Sequence, residues 1–408
     1  MTKREELAAN WPVVLAAFVG VMTGAWAFPV FILGPLIKPF EAEFAWSRTG
    51  IVACTSFLAA GLVIATPIAG RLADRIGVRV VALTSMVMLV LCFGVMSMIG
   101  GALWHLQLLY FFMGLLGAGC GGVAYTRAIG GWFRKARGLA LGITLTGTGV
   151  ASAVAPNLVE FVNAAAGWRW VCIIVAGITL LVGLPIVFFG LREPLRVGQV
   201  IETDDSNCPV SLIGATRAEA LRDPRFYILA ATIGIFGLVI SSLLVHTVPM
   251  LIDMGMTPTR AAQIASFSGI SIIIGRLSIG WMLDRYSPTA VGIVIFVLGS
   301  VGCLLFVLLG AGAALITVAA IGFLVGAEID LLSFMVLRYF GLLNYGAIYG
   351  ILFGVYSGAG IMAPLVAGGL IWWGGYNALF IGAASTFLTA AFLFFVLGFM
   401  PTGKNWEL

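Results

Sequence analysis

Apolar residues fill this chain in long unbroken runs, and polar residues gather in the short intervals between them. Twelve runs can be read, at about 11–36, 49–69, 79–100, 105–130, 138–163, 168–191, 226–249, 259–281, 287–310, 313–338, 345–373 and 376–399. A membrane β-barrel strand alternates apolar and polar positions over about ten residues. The runs at 80–98 and 376–399 do not alternate. Each run instead has roughly the twenty apolar residues with which an α-helix crosses a bilayer. One interval, 192–224, is long and polar, and it contains Glu202, Asp204, Asp205, Arg217 and Arg222. The pattern therefore predicts a six-helix bundle over 1–191, a linker over 192–224 and a second six-helix bundle over 225–408.

Composition agrees with the pattern. Of 408 residues, 61% are hydrophobic and only 10% are charged, with a mean hydropathy of +1.10. A soluble domain is about one-quarter charged, so this chain cannot cover a water-facing surface. The 53 glycines would be costly in soluble helices but suit membrane helices that pack closely. The first run, behind Met1-Thr2-Lys3-Arg4-Glu5-Glu6, is too long for a signal-peptide core and is expected to be retained.

Charge sets the expected orientation. With both termini in the cytoplasm, Lys38, Arg48, Arg169 and Arg260 fall outside, and Arg127 and Arg276 fall within spans. The other sixteen of the 22 Lys and Arg residues then face the cytoplasm, as the positive-inside rule requires. The net charge of +5 thus calls for no nucleic acid. The expected setting is the plasma (inner) membrane, crossed many times, with the lipid bilayer as a partner. Cysteines 54, 92, 120, 172, 208 and 303 show no paired spacing, and His105 and His246 are the only histidines. No metal site or cofactor is expected, and no nucleophile–base pattern points to an enzyme.

The two halves repeat. Gly70-Arg-Leu-Ala-Asp74-Arg75 closes the second span, and Gly280-Trp-Met-Leu-Asp284-Arg285 closes the eighth. Gly117-Ala118 matches Gly326-Ala327, Gly167-Trp168 matches Gly375-Tyr376, and Pro35-Leu36-Ile37 resembles Pro249-Met250-Leu251. Repeated halves are the ground plan of secondary transporters. Gly70-x-Leu72-Ala73-Asp74-Arg75-x-Gly77-x-Arg79 resembles the signature loop of the major facilitator superfamily. That resemblance implies an all-α integral membrane fold of twelve helices in two pseudo-symmetric bundles. It also implies a gate in which Asp74, Arg75, Asp284 and Arg285 lock the cytoplasmic side. Phe40-x-x-x-Phe44-Ala-Trp46-Ser47-Arg48 and Trp132-Phe133-x-x-x-Arg137-Gly138-Leu139-Ala140-x-Gly142 are similar to the monocarboxylate transporter and oxalate/formate antiporter branch. Gly147-Thr148-Gly149 and Ala155-Pro156 resemble a family helix motif in weakened form. By contrast, Gly117-x-Gly119-x-x-Gly122 spells a dinucleotide fingerprint inside an apolar run, without the strand such a site needs, and reads as helix packing.

Ionisable residues at membrane depth are functional candidates by default. Away from span edges there are four: Arg127, Arg276, Glu328 and Asp330. Their charges cancel, which suggests mutual pairing. Arg276 lies near the middle of span eight, eight residues before Asp284, or about 12 Å along a helix. The resemblance makes it the substrate-carboxylate arginine; a structural ion pair is the alternative. Glu328 and Asp330 are two residues apart, about 200° around a helix, so at most one can face Arg276. Either is a candidate proton carrier, with Glu328 slightly favoured. Arg127 reads as a snorkelling gate arginine or as a second contact for a longer acid. Tyr125 matches a site tyrosine of oxalate-type relatives or is a packing residue. Tyr356, Ser357 and Tyr349 in span eleven and Ser268 and Ser271 in span eight are candidate cavity walls. His246 and Asp253 form a candidate proton-entry pair.

The sequence departs from its relatives at two points. Ile272 stands where animal-type monocarboxylate transporters place an Asp, and residues 345–373 hold no lysine, which disfavours oxalate. The expected function is proton-coupled symport of a small monocarboxylate, lactate- or pyruvate-like, by a protein working as a monomer. The alternatives are organic-anion exchange, carriage of aromatic or longer acids, and a non-transporting nutrient sensor.

Overall fold

The computed structural model describes residues 2–193 and 214–400. Glu202, Asp204, Asp205 and Cys208 of the polar interval lie outside the described residues. The chain is helical: α1 (Lys3–Ala9), α2 (Trp11–Met22), α3 (Phe28–Phe44), α4 (Arg48–Val52), α5 (Cys54–Arg75), α6 (Val78–Ser97), α7 (Leu103–Gly117), α8 (Gly122–Trp132), α9 (Arg137–Ala166), α10 (Trp168–Ile178), α11 (Leu184–Gly190), α12 (Arg217–Arg222), α13 (Pro224–Asp253), α14 (Pro258–Leu283), α15 (Pro288–Leu309), α16 (Ala314–Phe340) and α17 (Tyr345–Phe399). Among the described residues the one β feature is an isolated bridge between Gly214 and Gly341.

Among those residues nine helical stretches are long and apolar enough to cross a membrane, or ten if the bent pair α1–α2 counts as one span. A shorter apolar stretch, Phe267–Leu283, lies within α14. Large apolar side chains face outward, among them Leu308 at 78% and Trp372 at 89% exposure. Such a surface suits hydrocarbon, and tryptophans suit its interface with water.

Local chemistry explains the ends. Asp223-Pro224, Thr257-Pro258 and Ser287-Pro288 start α13, α14 and α15. In each the polar side chain accepts a backbone N–H of the first turn, while proline fills the first helical position, where an N–H would have no helical partner. At 55 residues α17 has length enough for two crossings, and it breaks at Gly374–Gly375. Gly375 has φ +67°, and its repeat counterpart Gly167, between α9 and α10, has φ +86°. Both turns need a left-handed residue, which only glycine adopts at little cost.

Four predicted spans are interrupted among the described residues, 49–69 at Ala53 and 168–191 by a π-helical turn at Thr179–Gly183 among them. The run at 11–36 is broken at Thr23–Ala27, and α3 beyond it contains Pro35 and Pro39. The run at 105–130 is not one continuous helix, because Ala118–Cys120 forms a 3₁₀ turn between α7 and α8. The glycines of the nucleotide-like motif sit at this break. A Cβ at Gly119 would collide with Ser85 and Val81, so close packing is their role.

By packing, the chain forms two compact units. Of the described residues, one takes those up to Ala220 together with Val336–Gly354, and the other takes Leu221–Met335 and those from Val355 to Met400. The repeat divides the sequence at the polar interval, whereas packing cuts through α16 and α17.

Candidate functional site

Among the described residues two buried ionic clusters emerge, one in each unit. In the second unit, glycines bring α14 and α16 into backbone contact. Gly275 lies against the Phe323 carbonyl, Gly322 against Ser268, and Gly326 against the Ile272 carbonyl and the Arg276 amide. This contact sets Arg276 beside the acids of α16. Arg276 is 2% exposed and Asp330 fully buried, and Nη1 of Arg276 lies 3.9 Å from Oδ1 of Asp330. That distance is an ion pair but too long for a hydrogen bond. Arg276 Nε and Nη1 and both Asp330 oxygens are buried without any hydrogen-bond partner among the described residues.

Glu328 turns the other way. Its Oε1 accepts a 2.8 Å hydrogen bond from the Tyr356 hydroxyl of α17, and its Oε2 has no partner. The two-residue spacing thus acts as helix geometry requires, with Asp330 on Arg276 and Glu328 on Tyr356. Ser357, 3% exposed, brings a further buried hydroxyl with no partner. Ser271 is half-buried on α14.

In the first unit, Gly70 of α5 meets Gly346 of α17, and Gly350 meets Thr66. The contact places Asp74 at the start of α17. Asp74 Oδ1 accepts from Arg127 Nε at 2.6 Å and from the Gly346 N–H at 3.1 Å, while Oδ2 accepts from the Ala347 N–H at 2.9 Å. A carboxylate at a helix N-terminus satisfies two orphan amides and the helix dipole at once. Beside it the Tyr345 hydroxyl donates to Thr126 Oγ1 at 3.0 Å.

These contacts correct the charge reading of the sequence. Arg127 does not snorkel: it is 1% exposed and bonded to Asp74, itself 3% exposed rather than at a hydrated edge. Among the described residues the buried Asp, Glu, Lys, Arg and His residues are therefore Asp74, Arg127, Arg276, Glu328 and Asp330, which together carry one acid more than bases. Four groups with cancelling charge was an undercount.

Other candidates separate. Tyr125 is fully buried, packed against Gly20, with its hydroxyl 3.7 Å from Met86 Sδ. Tyr349 stacks between Tyr345 and Phe353 along α17. His246 Nδ1 lies 3.0 Å from its own helix's Ser242 carbonyl, while Asp253 accepts from the Tyr376 hydroxyl at 2.6 Å. The structure does not join His246 to Asp253. Arg75 is exposed, Asp284 is the half-buried C-cap of α14, and Arg285 stacks over the Trp281 ring at 4.0 Å.

Residues 13–351 match the family model of the Major Facilitator Superfamily. The chain belongs to this superfamily. It is a multi-pass membrane protein of the all-α major facilitator fold. Monocarboxylate transporter 13 of Bos taurus is 26% identical over 67% of this chain and 62% of its own length. Monocarboxylate transporter 12 of Xenopus laevis is 25% identical over 68% of this chain and 65% of its own. The chain thus spans somewhat less than two-thirds of each of these two relatives. Monocarboxylate transporter 12-B of Danio rerio is 26% identical over 87% of this chain and 80% of its own length. Among solved structures, the human organic anion transporter MFSD10 superposes with a TM-score of 0.71 at 16% identity, covering 94% of this chain and 99% of its own. The E. coli fucose:proton symporter FucP gives 0.72 at 15%, covering 96% and 98%. Those two likenesses show the fold.

Sequence reasoning missed three carboxylates that tie distant segments of this chain together. Glu6 accepts the amides of Arg134, Lys135 and Ala136 ahead of α9. Glu193 accepts those of Val78 and Arg79 at α6. Glu43 binds Arg169 and Trp168. Each caps or pairs with chain more than a hundred residues away, so no local spacing announces it.

Proposed function

We propose that this transporter carries a small organic acid anion together with a proton by alternating access, in the plasma (inner) membrane with both termini cytoplasmic. One observation carries the reading: Arg276 and Asp330 are buried as a loose pair whose facing polar atoms have no hydrogen bonds. Burying such atoms is costly. A guanidinium is a planar fork that matches a carboxylate, so a substrate carboxylate can take Arg276 from Asp330. The charge released on Asp330 is neutralised by a proton, and the loaded site then adds no net charge to the protein interior. The names of the relatives, monocarboxylate transporters, support a monoanion, as does the single arginine of this cluster.

The gate is assigned to Asp74, Arg75, Asp284 and Arg285, with Arg127 as the buried partner of Asp74. The Asp74 bonds to the α17 amides are a charge latch that can form and break. Uptake into proteoliposomes under an imposed pH gradient, over a panel of short, aromatic and longer acids, tests the reading. It predicts saturable uptake of short monocarboxylates with alkalinisation of the source compartment. Electroneutral swapping that leaves pH unchanged would favour anion exchange.

A further inference from the structure

The charge inventory of the second unit divides the labour between its two acids. Arg276, Glu328 and Asp330 are its buried ionisable Asp, Glu, Lys, Arg and His residues among the described residues. With Arg127 balanced by Asp74 in the other unit, one cation here serves two acids. Both acids cannot stay ionised without burying an unpaired charge, which proteins avoid by neutralising the group. Asp330 holds Arg276 at 3.9 Å.

Glu328 is left without a cation of its own. The apolar side chains packed around it suit a neutral acid. From α17 the Tyr356 hydroxyl donates to Oε1, which leaves Oε2 to carry a proton. From α14 the charged group is Arg276, engaged by Asp330. Glu328 lines a cavity of about 20 Å³ walled by Phe236 of α13, Phe296 of α15, Met335 of α16 and Phe394 of α17. The one other polar residue of that wall, Thr232 of α13, donates its hydroxyl to the Ile228 carbonyl.

We propose that Glu328 remains a protonated carboxylic acid throughout the cycle, positioned by Tyr356, and that Asp330 is the site of the transported proton. This rests on the proton-coupled reading above and names the group that performs it. The step balances. The empty site holds Arg276 as a cation, Asp330 as a carboxylate and Glu328 neutral. One substrate carboxylate and one proton enter, the proton going to an Asp330 oxygen and the carboxylate to Arg276. On release the proton leaves Asp330 and the ion pair re-forms. Net charge is zero before and after, and the stoichiometry is one proton per monoanion. A neutral Glu328 leaves Asp330 the only acid competing for Arg276.

Two variants and a spectroscopic measurement test this. Glu328→Gln keeps a neutral side chain and an acceptor for Tyr356, so it should retain uphill, pH-driven accumulation. Asp330→Asn should lose that accumulation yet still exchange labelled for unlabelled substrate without a pH gradient. Infrared spectra of substrate-free protein at neutral pH should contain the carbonyl stretch of a buried protonated carboxylic acid, absent in Glu328→Gln. Loss of accumulation in Glu328→Gln with its retention in Asp330→Asn would overturn the assignment, as would an infrared band that persists unchanged in Glu328→Gln. The infrared result does not depend on which acid is carried. Failure of the wild-type protein to move any acid of the panel would therefore sink the parent reading while the band still decided the state of Glu328.

Discussion

The carboxylate of Asp74 lies 2.6 Å from Nε of Arg127, with both side chains almost wholly out of contact with solvent. The same carboxylate caps the first amides of α17. Removing one member of such a pair leaves the other charge buried, at a cost of about 3–5 kcal/mol. Asp74→Ala should therefore lower thermal stability sharply, and Asp74→Ala with Arg127→Leu should recover part of the loss. Unfolding of the detergent-purified single and double variants checks this. Additive losses in the double variant would show that the pair is not coupled.

Gly326 lets α16 touch the backbone of α14, and a methyl there would press on the Ile272 carbonyl. Gly326→Ala should destabilise by roughly 1–3 kcal/mol through overpacking and should impair transport by moving Arg276 from Asp330. A methyl group on Gly94 of α6 would meet no atom within 4 Å. Gly94→Ala should be neutral or stabilise by up to about 1 kcal/mol through helix propensity. The two substitutions, compared by thermal melting, separate packing from propensity.

Glu43 gives a pH-dependent contribution at the α3–α10 contact. Its hydrogen bond from Arg169, then that from Trp168, holds the carboxyl below its ordinary 4.5. A depressed folded pKa means the contribution is full above the unfolded value and fades as pH falls through the folded one. Glu43→Gln should accordingly melt lower than wild type at neutral pH, and the gap should close in acid. Melting curves of the two proteins across that range decide it, and a gap that widened in acid would contradict the ion pair.

Hydropathy made the spans readable because each apolar run must satisfy its own backbone as a helix. Breaks inside runs were less readable. Thr23–Ala27 and Ala118–Cys120 are as apolar and glycine-rich as the helices they interrupt. Arg276, Glu328 and Asp330 stood out because charge is rare at depth, and their two-residue spacing already limited Arg276 to one acid. Which acid faced it depended on helix rotation, set by the glycine contacts with α14. Asp74 was misread as an edge residue because its partners, Arg127 and the amides of Gly346 and Ala347, come from distant parts of the chain.

The central claim is that Arg276 binds the carboxylate whose movement is driven by protons. Its most direct test is uptake of a labelled short monocarboxylate into proteoliposomes under an imposed proton gradient, comparing wild type with Arg276→Lys and Arg276→Gln. The expected result is accumulation by wild type that collapses with a protonophore, and its loss in both variants, since neither side chain reproduces the guanidinium fork. Uptake by Arg276→Gln equal to that of wild type would contradict the account.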